Sequence, residues 1–140
     1  MNRRVKLEVE KEFTSDKKVI TEIENLLKSI QKEVPFDSNK FHNILVASTE
    51  AVMNAIQHGN RYNPRKKVIF KVIAETNKII VSVADEGEGF DPSTLEDPRT
   101  PENILKERGR GIFIIKELSD KTSITTSRNG TIIRMEFKIR

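Results

Sequence analysis

Residues 50–58 read Glu-Ala-Val-Met-Asn-Ala-Ile-Gln-His, within a longer stretch in which apolar residues recur at three- and four-residue steps. That spacing predicts an amphipathic helix. Glu50, Asn54 and His58 lie four residues apart, so the helix places them on one face. An amide oxygen can ligate Mg²⁺, and a carboxylate one turn away can accept a proton. A solvated polar face would show the same spacing.

The rest of the chain divides into alternating and helical patterns, in the order β-α-α-β-β-loop-α-β-β. The predicted strands are Arg4 to Phe13, Val68 to Ala74, Ile79 to Ala84, Lys121 to Ser127 and Thr131 to Ile139; the predicted helices are Val19 to Val34, Asp37 or Ser38 to about His58, and Gly111 to Leu118. Short links between strands favour a mostly antiparallel or mixed sheet. With the helices on one face, the sequence predicts an α+β two-layer sandwich.

A second polar segment, Asp-Glu-Gly-Glu-Gly-Phe-Asp, occupies residues 85–91 directly after a predicted strand. A carboxylate at a strand end can accept a hydrogen bond from the exocyclic amine of a base. Gly87 and Gly89 would let the backbone approach a flat ring, or turn sharply. A plain glycine turn explains the segment equally well.

A third segment, Arg108-Gly109-Arg110-Gly111, precedes the third predicted helix. Glycines before a helix N-terminus expose backbone N–H groups, and the helix dipole adds positive potential there. Together with two arginines, this arrangement suits a phosphate chain. A simple helix start remains the alternative.

Composition narrows the classes of function. The chain has 140 residues, a net charge of +4, two histidines and no cysteine, which excludes disulfides, thiolate nucleophiles and cysteine-ligated metals. No apolar run is long enough to span a membrane, and no secretory signal is visible. The basic and acidic residues are interspersed, with one tyrosine and no tryptophan, so direct nucleic-acid binding is not expected. We expect one domain over residues 1–140 and a cytoplasmic location.

In this order the three segments resemble the N, G1 and G2 boxes of the GHKL (Bergerat-fold) ATPase superfamily. Within it, they are most similar to the bacterial anti-sigma factor serine/threonine-protein kinases. Gly130-Thr131 matches the Gly-Thr that opens the last strand in that family. The resemblance covers roughly residues 5 to 139 and implies the histidine-kinase-like ATPase sandwich.

The resemblance also implies a role for each matching residue. Glu50 matches the catalytic carboxylate, Asn54 the ligand of Mg²⁺ that bridges to the ATP phosphates, and Asp85 the aspartate that binds the adenine amino group. The other implied nucleotide contacts are His58, Gly87, Gly89, Arg108, Gly109, Arg110, Gly111, Ile112 and Thr131. Residues 92–108 match the ATP lid.

The implied function is an ATP- and Mg²⁺-dependent kinase of a partner-switching system. It would sequester a sigma factor and phosphorylate a serine or threonine of an anti-sigma factor antagonist; the family often forms homodimers. A non-catalytic regulator that binds partners according to its nucleotide is the main alternative. A histidine-kinase catalytic domain would need a phosphoacceptor histidine on a helical hairpin, and a basic nucleic-acid-binding domain would need a basic stripe.

Overall fold

The computed structural model describes residues 5–16, 18–91 and 103–140, with side chains from Arg108 onward in the last range. Residues 92–102, which hold most of the predicted ATP lid, lie outside the described residues. The elements in chain order are β1 Val5–Thr14, α1 Val19–Glu33, α2 Ser38–Asn54, a π-helical turn Ala55–Gly59, β2 Lys67–Glu75, β3 Lys78–Ala84, α3 Asn103–Leu118, β4 Lys121–Ser127 and β5 Gly130–Lys138.

The five strands form one sheet in the order β1-β2-β3-β5-β4. All four pairings between these strands are antiparallel. The predicted strand order along the chain and the α+β class are therefore confirmed, and the described sheet has no parallel pair.

The hydrophobic core lies between the sheet and the helices. Buried positions alternate along β2 and β5, as expected for strands with one covered face. On β2 and β5 these positions are Val68, Phe70, Val72, Ala74, Ile133, Met135 and Phe137, and they join Ile23, Leu27, Ile44 and Ile115 of the helices. No helix among the described residues is long and apolar enough to cross a membrane.

Local chemistry explains where α2 begins and ends. The Asp37 carboxylate accepts a hydrogen bond from the Lys40 backbone N–H at 2.8 Å, so the predicted cap is confirmed. The chain stays helical to Gly59, but the last turn widens: the Asn60 N–H donates to the Ala55 carbonyl, five residues back, at 2.7 Å. Single π-helical turns often accompany functional sites. Here the turn shifts His58 from the face that a regular helix would give it.

The third helix begins earlier than predicted. The sequence predicts a loop to Arg110 and a helix from Gly111, whereas α3 begins at Asn103. Residues 103–108, Asn-Ile-Leu-Lys-Glu-Arg, are mostly good helix formers, and their summed propensity outweighs the cost of two interior glycines when the helix also packs on α2. The Gly109 to Gly111 segment therefore lies inside a helix, and the prediction of exposed N–H groups at a helix start there is wrong.

Asn60 joins three parts of the chain next to the π-helical turn. Its Nδ2 donates to the Ser15 hydroxyl at 2.9 Å and to the Lys67 carbonyl at 3.0 Å. Its Oδ1 accepts from the Glu86 N–H at 2.8 Å. Asn60 is 1% exposed, so water cannot replace these bonds. This side chain fixes the segment after Asp85 against β2 and the turn after β1.

We expect Asn60→Ala to lower the free energy of unfolding by about 3 kcal/mol, because it strips buried backbone groups of their partners. Chemical denaturation measures the loss. Asn25→Ala, on the exposed face of α1, is the control and should change stability by less than about 0.5 kcal/mol. Equal stabilities of the two variants would contradict the structural role of Asn60.

Candidate functional site

Asp85 follows the last residue of β3 and is held by backbone groups of two segments. Its Oδ1 accepts from the Gly87 N–H at 2.9 Å and from the Thr131 N–H at 3.1 Å. Its own N–H donates to the Thr131 carbonyl at 2.9 Å. The carboxylate is therefore fixed in orientation through Oδ1, and Oδ2 accepts no hydrogen bond from the described residues.

The π-helical turn approaches this carboxylate closely. A Cβ atom on Gly59 would lie 2.2 Å from Asp85 Oδ2, so only glycine fits at position 59. The loop that follows Asp85 contacts β4, because the Thr126 hydroxyl donates to the Phe90 carbonyl at 2.8 Å. These contacts bring the end of the N box against the G1 segment, as the two boxes require if they hold one ligand.

The environment of Asp85 disfavours its charge. Burial raises the pKa of this carboxyl above its usual value of 3.8; hydrogen bonds from Gly87 and Thr131 and the charges of Arg108 and Lys66 offset part of that effect. A partly buried acid whose charge is disfavoured by its surroundings is typical of a site built to bind a ligand.

A hollow of about 220 Å³ opens beside Gly59 and Gly89. Its lining is mostly polar and carries three cationic side chains, those of Arg61, Lys66 and Arg108; the other lining residues are His58, Asn60, Asn63 and Glu88. Positive charge around a polar concavity favours an anionic ligand.

Glu50 and Asn54 lie together where α2 meets α3. A Cβ atom on Gly111 would lie 2.6 Å from Asn54 Nδ2 and 3.1 Å from Glu50 Oε2, so the backbone of α3 passes directly over both side chains. The Asn54 Nδ2 donates to the Glu50 carbonyl at 3.1 Å. This bond turns the amide so that Oδ1 is its available atom.

The Asn54 Oδ1 fits the role of a metal ligand. It is buried and accepts no hydrogen bond from the part of the chain that the structure describes. Leaving such an atom unpaired costs about 1–3 kcal/mol. The described residues contain no cluster of three or more acidic or histidine side chains that would hold a metal by themselves.

The remaining predicted site residues divide into two groups. His58 and Gly89 line the hollow, and the backbone of Gly87 and Thr131 holds Asp85. In α3, Gly109 is half-buried, Arg110 is exposed, and Ile112 is 3% exposed within the hydrophobic core. The structure therefore brings Arg110 and Ile112 to different sides of the helix, because they are two residues apart.

Two residues that contribute to the candidate site were not predicted from the sequence. Asn60 carries no motif of its own, and only the contact between three distant segments reveals it. Phe90 is the second: the Arg108 guanidinium carbon lies 4.2 Å from the centre of its ring. The available signal was the position of Phe90 directly after Gly89, since an aromatic residue beside a glycine turn can provide a stacking surface.

The family pattern for the histidine kinase-like ATPase domain matches residues 13–137. Proteins named serine-protein kinase RsbW from several Staphylococcus aureus strains, including JH9 and Newman, are 32% identical over 101 residues, which cover 66% of this chain. The chain covers 62% of the length of these relatives.

Solved structures agree on the fold. The RsbU and RsbW domains of a Mycobacterium tuberculosis protein superpose with a TM-score of 0.70 at 15% identity, over 95% of this chain and 32% of that one. The histidine kinase domain of a blue-light-activated histidine kinase from Erythrobacter litoralis gives 0.57 at 16% identity, over 91% and 66%.

Asp85→Asn should weaken adenosine binding by about ten- to a hundredfold, since a charge-assisted hydrogen bond is worth about 1.5–3 kcal/mol. Titration calorimetry with adenosine measures the change. Asp120→Asn, an exposed acid at the start of β4, is the matched control and should bind as the wild type does. Unchanged adenosine affinity in Asp85→Asn would show that Asp85 does not bind the adenine amino group.

The same variant should fold at least as stably as the wild type at pH 7. The pKa of Asp85 is raised in the folded state, so the ionised carboxylate disfavours folding above that pKa. The asparagine removes the charge and keeps an acceptor for the two backbone N–H groups. The difference in unfolding free energy should shrink as the pH falls toward 3.8. A wild type more stable than Asp85→Asn at pH 7 would contradict this expectation.

Gly111→Ala should weaken ATP-Mg²⁺ binding by about tenfold or more without destabilising the fold. Alanine favours the helix by about 0.5–1 kcal/mol, but its Cβ would displace the Asn54 amide. Denaturation and calorimetry with ATP-Mg²⁺ separate the two effects, and adenosine affinity, which needs no metal, is the internal control. ATP-Mg²⁺ affinity equal to that of the wild type would show that the amide is not needed.

Proposed function

The chain belongs to the histidine kinase-like ATPase domain family, and we propose that it is an ATP-dependent anti-sigma factor serine/threonine-protein kinase. In this proposal it binds a sigma factor and phosphorylates an antagonist protein within a partner-switching system. The name serine-protein kinase RsbW that its relatives carry supports the kinase assignment.

The pairing of Glu50 with Asn54 is the observation that carries the proposal. Both side chains lie one turn apart on α2, against the same glycine of α3. Asn54 offers a buried unpaired oxygen, and Glu50 offers a half-buried carboxylate. A site that only binds nucleotide needs the amide, whereas a site that transfers phosphate also needs a base near the attacking hydroxyl.

The proposed reaction assigns one task to each residue. Asp85 Oδ2 would accept from the adenine amino group and so fix the nucleotide at one end. Asn54 Oδ1 would hold Mg²⁺, which supplies charge neutralisation on the phosphates when it is bound. Glu50 would accept the proton from the serine or threonine hydroxyl of the antagonist. Positioning and charge stabilisation then account for most of the rate.

The partners of the proposed kinase are proteins. A sigma factor would be bound and released, and the phosphorylated antagonist would lose its hold on the kinase. We also propose a homodimer and a cytoplasmic location, on the strength of the family resemblance. The interspersed charges of the sequence support a protein partner rather than nucleic acid.

Glu50→Ala should retain ATP-Mg²⁺ affinity and lose phosphate transfer to the antagonist by about 10²-fold or more, the usual contribution of a general base. Asn54→Ala should lose both, because the triphosphate charge is then uncompensated. Nucleotide affinity and single-turnover transfer are measured for each variant with the antagonist encoded in the same genome.

Glu117→Ala, an exposed acid on α3, is the control and should behave as the wild type does. Transfer at the wild-type rate by Glu50→Ala would show that Glu50 is not the base. A wild type that binds ATP-Mg²⁺ and its partners but never transfers phosphate would replace the kinase with a nucleotide-dependent binding regulator.

A further inference from the structure

Arg108 is buried in the candidate nucleotide site although it is a charged residue on a surface helix. It is 9% exposed and lines the hollow together with Gly59, whose backbone abuts the Asp85 carboxylate, whereas Arg110, two residues later in the same helix, is exposed. Arginine is rarely buried unless it is paired. Its position therefore requires partners that compensate for the lost hydration.

Two partners provide this compensation. The guanidinium carbon lies 4.2 Å from the centre of the Phe90 ring, within the range of a cation–π contact. The Asp85 carboxylate attracts the same group electrostatically. A guanidinium is planar, presents N–H donors in its plane and stacks through its faces. An aminopurine ring is likewise planar, presents N–H donors in its plane and stacks through its faces.

Other forces act against this placement. Burial lowers the pKa of Arg108, attraction to Asp85 raises it, and repulsion from Arg61 lowers it again. The hollow is also small at about 220 Å³, below the usual range of ligand pockets, which begins at about 300 Å³. The Arg108 side chain forms part of the wall of this hollow, so a change of its rotamer would enlarge the space available to a ligand.

We propose, on the premise of the nucleotide site proposed above, that the Arg108 side chain occupies the subsite of the nucleobase when no nucleotide is bound. The base must displace the guanidinium from Phe90 and Asp85 before it can bind. Arg108 is thus an internal competitor that lowers the affinity for the base. The apparent dissociation constant equals the intrinsic one divided by the fraction of molecules with an open subsite.

Adenosine is the probe that tests this competition, because it carries no phosphate that a released arginine could contact. If the guanidinium fills the subsite in about nine molecules of ten, Arg108→Ala should bind adenosine about tenfold more tightly than the wild type. Lys116→Ala removes a positive charge from an exposed position on the same helix and should bind within twofold of the wild type. Calorimetry measures all three proteins.

Arg108→Gln keeps a planar amide without the charge and should give an intermediate adenosine affinity. If Arg108→Ala does not fold, Arg108→Gln tests whether the guanidinium competes with adenosine. Ethylguanidinium, added at non-denaturing concentration, should compete with adenosine in Arg108→Ala and leave the wild type unaffected. Restored competition would show that the guanidinium itself blocks the subsite.

The outcomes distinguish this inference from the proposed function. A folded wild type that binds neither ATP-Mg²⁺ nor adenosine overturns both. A wild type that binds both ligands, while Arg108→Ala and Arg108→Gln bind adenosine no more tightly than Lys116→Ala, overturns the inference alone. An Arg108→Ala variant with weaker adenosine binding would show that Arg108 supports the base instead of competing with it.

Discussion

The partly buried carboxylate of Asp85 is the constraint on which the rest of the site depends. Burying it is unfavourable, so the fold surrounds it with backbone donors from its own loop and from the start of β5. Those bonds tie the G1 segment to β5, the strand next to β3 in the sheet. The π-helical turn also approaches the carboxylate so closely that only glycine fits at position 59. The position of this one carboxylate is thus linked to the path of three segments.

Asn60 stabilises the arrangement of these segments through its own hydrogen bonds. Its amide satisfies backbone groups of β2 and of the Glu86 peptide, together with the Ser15 hydroxyl. A buried network of this kind is favourable only when every member has a partner. These bonds join the Glu86 peptide to β2 and to the turn after β1. The unpaired Asn54 Oδ1 lies elsewhere, on α2 next to the glycine of α3.

The helix α2 serves the core and the candidate site at once. Its apolar face, with Ile44 and Val52, packs into the core, and its polar face carries Glu50 and Asn54 beneath α3. Because α3 passes over that face with a glycine at the contact, the separation of the two helices determines the room beside Glu50 and Asn54. Any change that moves α3 would alter the surroundings of Arg108 as well as those of Glu50 and Asn54.

Most of the fold could be predicted from the sequence, because alternating and helical periodicities are local and record which face of each element is buried. The three boxes likewise indicated Glu50, Asn54 and Asp85, since regular elements fix their relative positions. The start of α3 depends on packing against α2, and the tasks of Asn60 and Arg108 depend on contacts between residues 18 to 45 positions apart. Such contacts leave no periodic trace in the chain. Only the tertiary structure decides them, because burial and pairing of a polar side chain are set by neighbours that the local sequence does not contain.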